Sequence, residues 1–127
     1  MYHNEKESGR AILDYLSSTQ NAQNLKREDI HFTSKLASNG SYDTARKAIK
    51  QSVKECGLGY IDLFLLHSPY GGKKARLECW RAVEDAIESG EVKTDGVSNF
   101  GIKHVCVKQL VWKGIAIISP INSFRSC

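Results

Sequence analysis

The sequence predicts an α/β fold, specifically a partial TIM (β/α)8 barrel of about four parallel β/α units. Segments with helical spacing alternate with short apolar segments, and the connections between the apolar segments are too long for hairpins, as expected for parallel strands. The segment "YIDLFLLH" is nearly continuous in apolar residues, which is typical of a strand covered on both faces. The polar residues that close three predicted strands, Lys35, His67 and Asn99, are spaced 32 residues apart.

The first unit contains a helix followed by a short strand. Apolar positions recur at helical spacing at Gly9, Ile12, Leu13 and Leu16. Asn4 precedes this helix and Glu7 lies three residues later, a pattern that predicts an N-terminal capping box. The next segment, "DIHFTSKL", is rich in aromatic and branched residues and predicts a strand that ends near Lys35. About one period before Lys35, 33 residues earlier, the chain reaches Tyr2, where an earlier strand would end.

The second and third units each combine a helix with a strand. A helix is predicted over "SYDTARKAIKQSVKECG", and Gly57 ends it. Its buried face comprises Ala45, Ile49, Ser52, Val53 and Cys56. The strand "YIDLFLLH" follows, and then a helix over "KKARLECWRAVEDAIESG" that ends at Gly90. The apolar stripe of this helix comprises Leu77, Trp80, Val83 and Ile87, so we expect Trp80 to pack in the core.

The remaining segments predict a third strand, a fourth helix and a further strand. They are "VKTDGVSNF", "IKHVCVKQLVWKG" and part of "IAIISPINSF". Asp95 occupies a strand position that is usually apolar. Asp62 also lies within an apolar strand, and we expect it to be a hydrogen-bonded structural carboxylate rather than a catalyst.

A barrel is preferred over the other common parallel architecture. The carboxyl ends of the strands meet at one rim of a barrel, where active sites are built. A doubly wound open sheet would also bind ligands at that edge. Its dinucleotide fingerprint, G-x-G-x-x-G between the first strand and helix, is absent, and Gly71 and Gly72 are interpreted as a tight turn.

The composition excludes several classes of function. The 127 residues are 41% hydrophobic and 25% charged, as in an ordinary soluble chain. Because neither a run of about 18 apolar residues nor a signal-peptide core is present, we expect no membrane span and a cytoplasmic location. The net charge of +4 comes from scattered lysines and arginines, so nucleic-acid binding is not expected. The cysteines lack metal-ligand spacing, so we expect no metal site and reduced, packed thiols: Cys56, Cys79, Cys106 and Cys127.

Four segments, in this order along the chain, resemble the aldo-keto reductase family. They are "MYHNEKESGRAI", "FTSKL", "GYIDLFLLHSP" and "RLECWRAVEDAIESGEVKTDGVSNFGIKH". The resemblance is strongest over residues 2–104, and the tail, residues 115–127, diverges. It implies a (β/α)8 enzyme that reduces an aldehyde or ketone with a nicotinamide cofactor, NADPH (NADP+). We therefore expect residues 1–127 to form a single incomplete domain of this type.

The resemblance also implies roles for individual residues. Tyr2 corresponds to the general acid, Lys35 to the cation that lowers the pKa of this phenol, and His67 to the neutral donor that orients the substrate carbonyl. Ser98 and Asn99 match the pair that hydrogen-bonds the nicotinamide carboxamide. A phenol with its ordinary pKa of about 10 exchanges protons poorly near neutrality, and a nearby ammonium favours its ionised form.

Each of these residues also has a structural interpretation that the residues alone leave open. Tyr2 could be a surface aromatic near a chain end, Lys35 a strand-end lysine that reaches solvent, and His67 a structural histidine. Ser98 and Asn99 could form a turn or cap the following helix. The shared spacing and the order of the motifs favour the catalytic interpretation.

The sequence departs from the family pattern near both ends. The family's aspartate lies five residues before the tyrosine, whereas this chain begins one residue before Tyr2, so Lys35 is expected to lack its ion-pair partner. The tail "PINSFRSC" offers Asn122 and Ser123 where an asparagine and a glutamine would help to hold the nicotinamide. About four units would leave two open edges and an uncovered apolar inner face, which favours self-association through that face. The alternative function is a catalytically dead remnant or interaction protein that retains the half-barrel scaffold.

Overall fold

A computed structural model describes residues 4–101 and 116–117. It contains a four-stranded parallel sheet in which the order of the strands follows the chain. The described helices are α1 (Glu5–Ser17), α2 (Tyr42–Cys56) and α3 (Gly72–Glu88), and the strands are β1 (Thr33–Leu36), β2 (Ile61–Leu66), β3 (Val92–Val97) and β4 (Ala116–Ile117). Consecutive parallel strands connected by helices confirm the predicted fold, a partial barrel of β/α units.

Helix α2 begins and ends where the sequence predicts. The Ser41 hydroxyl accepts a hydrogen bond from the Thr44 backbone N–H at 3.3 Å, which satisfies one of the free donors of the first turn. The helix ends at Gly57, whose φ is 66°. The buried residues of α2 all belong to the predicted face: Ala45, Ile49, Ser52 and Cys56. Local capping and apolar spacing therefore agree over this helix.

The main core lies between the helices and one face of the sheet. Phe64 and Leu66 of β2 are 1% and 2% exposed and belong to this core. Trp80 of α3 is buried in the same cluster, as predicted from its position on the apolar stripe. Burying a side chain such as that of Phe64 or Leu66 contributes about 1.5–3 kcal/mol, so the core between the helices and the sheet accounts for much of the stability of the described fold.

The N-terminal end of α1 differs from the sequence-based prediction. Asn4 occupies the N-cap position, but its side chain makes no capping hydrogen bond, so the predicted capping box is wrong. Leu13 is also largely exposed, whereas Ile12 packs against the core. The face of α1 that packs against the core is therefore narrower than the apolar pattern indicates.

The start of β1 and the buried face of α3 were also predicted inaccurately. The strand expected over "DIHFTSKL" is shorter: Asp29 ends a 3₁₀ turn, Arg27–Asp29, and β1 begins only at Thr33. The buried face of α3 is centred on its small residues, while Leu77 and Ile87 are only half-buried at the sides. The fully buried residues of α3 are Cys79, Trp80, Ala82, Val83 and Ala86. Small side chains fit where α3 lies closest to its neighbours, which apolar spacing alone does not reveal.

Helices α1 and α2 approach each other closely at Gly9. Gly9 is the buried residue of α1 and lies against the C-terminal end of α2. A Cβ atom at Gly9 would lie 1.8 Å from the backbone oxygen of Cys56, which is far inside van der Waals contact. This helix pair therefore depends on the absence of a side chain at that position.

The C-terminal predictions are tested only in part. The fourth helix, predicted over residues 102–114, lies outside the described residues. Residues 116–117 form β4, which pairs in parallel with Gly96 and Val97 of β3, as expected for a further strand in the tail. In the two ranges that the structure describes, none of the helices has the length and apolar character needed to cross a bilayer.

The N-terminal end of the sheet is held together by an ion pair. The Arg27 guanidinium contacts the Asp62 carboxylate at 2.8 Å, and the Phe32 backbone N–H donates to the same carboxylate at 3.0 Å. Both charged side chains are largely buried. Burial alone would raise the pKa of Asp62, but the Phe32 N–H and the Arg27 guanidinium outweigh it and hold that pKa below its ordinary value of 3.8. Asp62 is thus the structural carboxylate that the sequence predicted.

Replacing Asp62 with asparagine should lower the free energy of unfolding by about 1.5–3 kcal/mol at neutral pH, the range for hydrogen bonds to charged groups. Because the pKa of Asp62 is lowered by folding, its contribution is complete above 3.8 and is lost as the pH falls through the folded value. The difference in the free energy of unfolding between parent and variant should therefore shrink below a pH of about 4, the ordinary pKa range of an aspartate. Urea titrations at several pH values measure it.

The matched control is Asp14→Asn. Asp14 pairs with Arg10 at 3.7 Å on the exposed surface of α1, so its loss should change stability by less than about 0.5 kcal/mol. An Asp62→Asn variant as stable as this control at pH 7 would contradict the structural role of Asp62.

Candidate active site

Strand β1 places Lys35 on the face of the sheet that points away from the helices. Ser34 and Leu36 are buried, and Leu36 belongs to the core under the helices. Side chains alternate along a strand, so Thr33 and Lys35 lie on the opposite face, which we call the inner face. Lys35 is half-buried, and its ammonium forms no ion pair or hydrogen bond with any residue that the structure describes.

His67 directly follows the last residue of β2, Leu66, and is half-buried. Lys35 pairs in register with Leu65, so His67 lies two residues further along the neighbouring strand on the same face. From the spacing of parallel strands, the Cα atoms of Lys35 and His67 are separated by roughly 8 Å. Two long side chains at that separation can reach a common point above the end of the sheet.

Ser98 and Asn99 follow β3 at the same level as His67. The Ser98 N–H donates to the Leu66 carbonyl oxygen at 2.9 Å, which continues the ladder between β2 and β3 past its last paired residues. Asn99 has a φ of 62° and lies exposed in the turn beyond the strand. Its Nδ2 donates to the His67 carbonyl at 2.8 Å and approaches the Ser98 hydroxyl at 3.1 Å. Ser98 and Asn99 therefore lie in a bend directly after β3.

The described part of the predicted site thus comes together at one rim. Lys35, His67 and Ser98 belong to the ends of three neighbouring strands, and Asn99 connects the last two ends. The carboxyl ends of parallel strands lie on one side of a barrel, so this rim has the position expected for an active site. An ammonium, an imidazole and two hydrogen-bonding side chains at this rim can bind and polarise a carbonyl oxygen.

Tyr2, the remaining predicted site residue, lies outside the described residues. The described chain starts two residues later, at Asn4, and enters α1 at Glu5. The Ser34 hydroxyl donates to the Glu5 carboxylate, which ties the beginning of α1 to the strand that carries Lys35.

An open cleft of about 460 Å³ lies between α1, β1 and α2. Asn4 and Lys35 both line it, together with polar residues of α1 and α2. The cleft therefore borders the strand that carries Lys35 on the side where α1 begins.

The structure adds one residue at the rim that the sequence motifs did not single out. Asn39 follows β1, and its side-chain amide donates to the carbonyl oxygens of Ser68 and Tyr70, at 2.7 and 2.6 Å. The available signal was an asparagine four residues after Lys35, in the loop at a strand end, where polar side chains often satisfy backbone groups.

The apolar side chains that β2 contributes to the inner face are buried. Leu63 and Leu65 of β2 point to this face but are only 4% and 3% exposed, so the described apolar side chains there do not form an open patch. In the sheet they are flanked in register by Thr33 and Lys35 on one side and by Thr94 and Gly96 on the other. The expected association through an uncovered apolar surface finds no such surface among the described residues and stays a prediction.

The described cysteines are packed thiols, as predicted. Cys56 and Cys79 are free and buried, and burial raises the pKa of both thiols. Cys106 and Cys127 lie outside the described residues. Within residues 4–101 and 116–117, the His, Cys, Asp and Glu side chains form no group that could hold a metal ion.

Comparison with known proteins identifies sequences and structures similar to this chain. A model of the Aldo/keto reductase family matches residues 1–120. An uncharacterized oxidoreductase of Schizosaccharomyces pombe is 53% identical over 125 residues, which cover 98% of this chain and 42% of that protein. An uncharacterized oxidoreductase of Saccharomyces cerevisiae is 49% identical over 107 residues, covering 83% of this chain and 37% of that protein.

Among solved structures, an aldo-keto reductase from Bombyx mori in complex with NADP is similar to this chain. The TM-score is 0.71 and the sequence identity is 30%, over 82% of this chain and 35% of that protein. The chain therefore spans less than half the length of the relatives that it matches.

Proposed function

This chain belongs to the aldo/keto reductase family, and from that membership we propose that it is an NADPH-dependent oxidoreductase that reduces a small aldehyde or ketone to an alcohol in the cytoplasm. The observation that carries the proposal is the arrangement of Lys35, His67 and Ser98 at three neighbouring strand ends on one rim. Relatives at 53% and 49% identity are named as oxidoreductases, which supports the same class of reaction.

We propose that Ser98 and Asn99 hydrogen-bond the nicotinamide carboxamide of the cofactor. When bound, NADPH supplies the hydride for the reduction. The Asn99 amide nitrogen already contacts the His67 carbonyl and the Ser98 hydroxyl, which leaves its Oδ1 as an acceptor for a carboxamide N–H. The similarity to a structure in complex with NADP supports the choice of cofactor.

The proposed proton chemistry depends on Tyr2, Lys35 and His67. As negative charge develops on the carbonyl oxygen, the Tyr2 phenol donates its proton to that oxygen and the alcohol forms. The Lys35 ammonium stabilises the phenolate that remains, because an opposite charge nearby favours the ionised form. His67 donates a hydrogen bond to the carbonyl oxygen, which orients the substrate and stabilises the developing charge.

The position of Asn4 supports the assignment of Tyr2. Asn4 lines the same cleft as Lys35, and Glu5 accepts a hydrogen bond from Ser34, the neighbour of Lys35 in β1. Two residues of chain span at most about 7 Å, so the chain that precedes Asn4 is short enough for the assignment of Tyr2 to be consistent with this arrangement.

A second candidate is a half-barrel scaffold that binds a partner or its own copy without catalysis. The observation in its favour is the edge of β1, which pairs only with β2 among the described strands. An unpaired strand edge presents free backbone donors and acceptors that another chain can use. Size-exclusion chromatography with light scattering tests this candidate, since a monomeric, enzymatically active chain would exclude it.

The proposed function is tested by titrating the purified chain with NADPH and following cofactor fluorescence. We expect saturable binding and NADPH oxidation that depends on an added aromatic aldehyde. Asn99→Asp should raise the dissociation constant at least about tenfold, or 1.4 kcal/mol, because the carboxylate repels an anionic cofactor and loses the N–H contacts to His67 and Ser98 that orient this side chain.

Asn24→Asp is the matched control for this variant. Asn24 is also exposed, with a φ of 54°, and lies in the loop after α1, so it should bind NADPH as the parent does. A parent chain that neither binds NADPH nor oxidises it with the aldehyde would contradict the proposed function. Equal binding by both variants would remove Asn99 from the cofactor site.

A further inference from the structure

In the loop that follows β2, four consecutive backbone carbonyl oxygens accept hydrogen bonds from side chains. Each carbonyl oxygen of residues 67–70 accepts a hydrogen bond from a side chain of another part of the chain. The donors are Asn99 Nδ2 to His67 at 2.8 Å, Asn39 Nδ2 to Ser68 at 2.7 Å, Arg76 Nη1 to Pro69 at 2.7 Å and Asn39 Nδ2 to Tyr70 at 2.6 Å. The loop is therefore held from the ends of β1 and β3 and from α3.

Side chains supply most of the contacts directly after His67. Tyr70 and Gly71 lie in a backbone turn that leads into α3. Outside the helices and strands, no backbone N–H of the described residues donates to the carbonyl oxygen of His67 or Ser68. These two carbonyl groups are therefore held by the side chains of Asn99 and Asn39. Asn39 makes two of the four contacts, one on each side of Pro69.

Asn39 also forms a close surface against the end of the loop. A Cβ atom at Gly71 would lie 3.3 Å from both the Cβ and the backbone oxygen of Asn39, and the φ of Gly71 is 90°. The backbone of Gly71 therefore passes close to Asn39, in a conformation that favours glycine. This close approach and the two hydrogen bonds connect the loop to the segment after the strand that carries Lys35.

We propose that Asn39 is a positioning residue that sets the His67 imidazole relative to the Lys35 strand. Its amide fixes the loop after His67 to the loop after β1, so the imidazole and the ammonium keep a constant separation at the rim. Preorganised donors of this kind matter because small displacements at a catalytic centre reduce the rate strongly. The catalytic consequence rests on the proposed function of His67, whereas the positioning itself does not.

The decisive experiment observes the imidazole directly by NMR on protein labelled with ¹³C at its histidine rings. His67→Gln identifies the His67 signals, and His31, before β1 at the other end of the sheet, serves as an internal reference. Asn39→Asp has no N–H donors, and Asn39→Ala removes them without adding charge. We expect both variants to shift or broaden the His67 ring signals and to leave those of His31 unchanged. Asn24→Asp should change neither signal.

Kinetics provide the second readout. Loss of a residue that only stabilises the fold would not change kcat/KM for the aldehyde while leaving the NADPH dissociation constant unchanged. We expect kcat/KM for the aldehyde to fall at least tenfold in both Asn39 variants, while the NADPH dissociation constant stays within twofold of the parent. Unchanged His67 ring signals in a folded Asn39→Ala variant would overturn the proposal, and this variant decides the matter if Asn39→Asp does not fold. If the parent lacks activity, the proposed function fails, and the ring signals still decide whether Asn39 positions His67.

Discussion

Changing Tyr2 to phenylalanine should reduce aldehyde-dependent NADPH oxidation by about 10²- to 10⁴-fold, the usual contribution of a general acid. The substitution removes only the phenolic oxygen, so the described residues of the rim are unaltered. We expect NADPH binding and the midpoint of thermal unfolding to match those of the parent. Steady-state rates with a saturating aldehyde, combined with NADPH titration, measure both quantities.

The matched control is Tyr15→Phe, because Tyr15 lies on α1 with its side chain 41% exposed and takes no part in the rim. This variant should keep the parent rate. Unchanged turnover in Tyr2→Phe would remove Tyr2 from the mechanism. A loss of NADPH binding alongside the loss of rate would instead assign Tyr2 to the cofactor site and contradict its role as a proton donor.

Replacing Gly9 with alanine should lower the free energy of unfolding by about 2–3 kcal/mol, the upper part of the range for overpacking. The new Cβ would lie 1.8 Å from the Cys56 backbone oxygen, and a backbone atom cannot move away by changing rotamer. In an isolated helix the same exchange is favourable by about 1 kcal/mol. A net loss of stability can therefore come only from the contact between α1 and α2. Urea unfolding followed by circular dichroism measures the change.

Gly40→Ala is the matched control for this exchange. A Cβ at Gly40 would meet the Thr44 hydroxyl at 2.9 Å, and that side chain can rotate away, so we expect a smaller loss. Limited trypsin digestion adds a local readout: Lys6 and Arg10 are already exposed, but trypsin should cleave after them faster once α1 separates from α2 and unfolds locally. A Gly9→Ala variant as stable as the parent, with the same resistance to trypsin, would show that α1 does not pack against α2 in solution.

Much of the fold could be predicted because local and long-range preferences agree. In α2, the Ser41 cap, the apolar face and Gly57 all indicate one helix, and the structure forms it with those ends. In β2, an almost continuous apolar segment predicts burial on both faces, and five of its six residues are buried. Where only one of these signals was present, as at Asn4 or at the beginning of β1, the prediction was less accurate.

The candidate site could be predicted in its residues but not in its supporting contacts. The equal spacing of Lys35, His67 and Asn99 predicted that their strand ends meet at one rim. Ser98 came from the resemblance to the family. The bonds of Asn39 and Arg76 to the loop after His67 have no regular spacing. They depend on how that loop crosses its neighbours, which sequence periodicity does not encode.

By itself the sequence determined the order of helices and strands and the parallel β/α architecture, because these depend on periodicity along the chain, and its motifs gave the resemblance to the family and the residue types at the rim. Only the tertiary structure decided that α1 meets α2 at a glycine, that Arg27 and Asp62 form an ion pair at the N-terminal end of the sheet, and that Asn39 binds the loop after His67. These contacts join residues 29 to 47 positions apart, and their existence depends on distances between atoms of different elements. Such distances arise only when the elements pack.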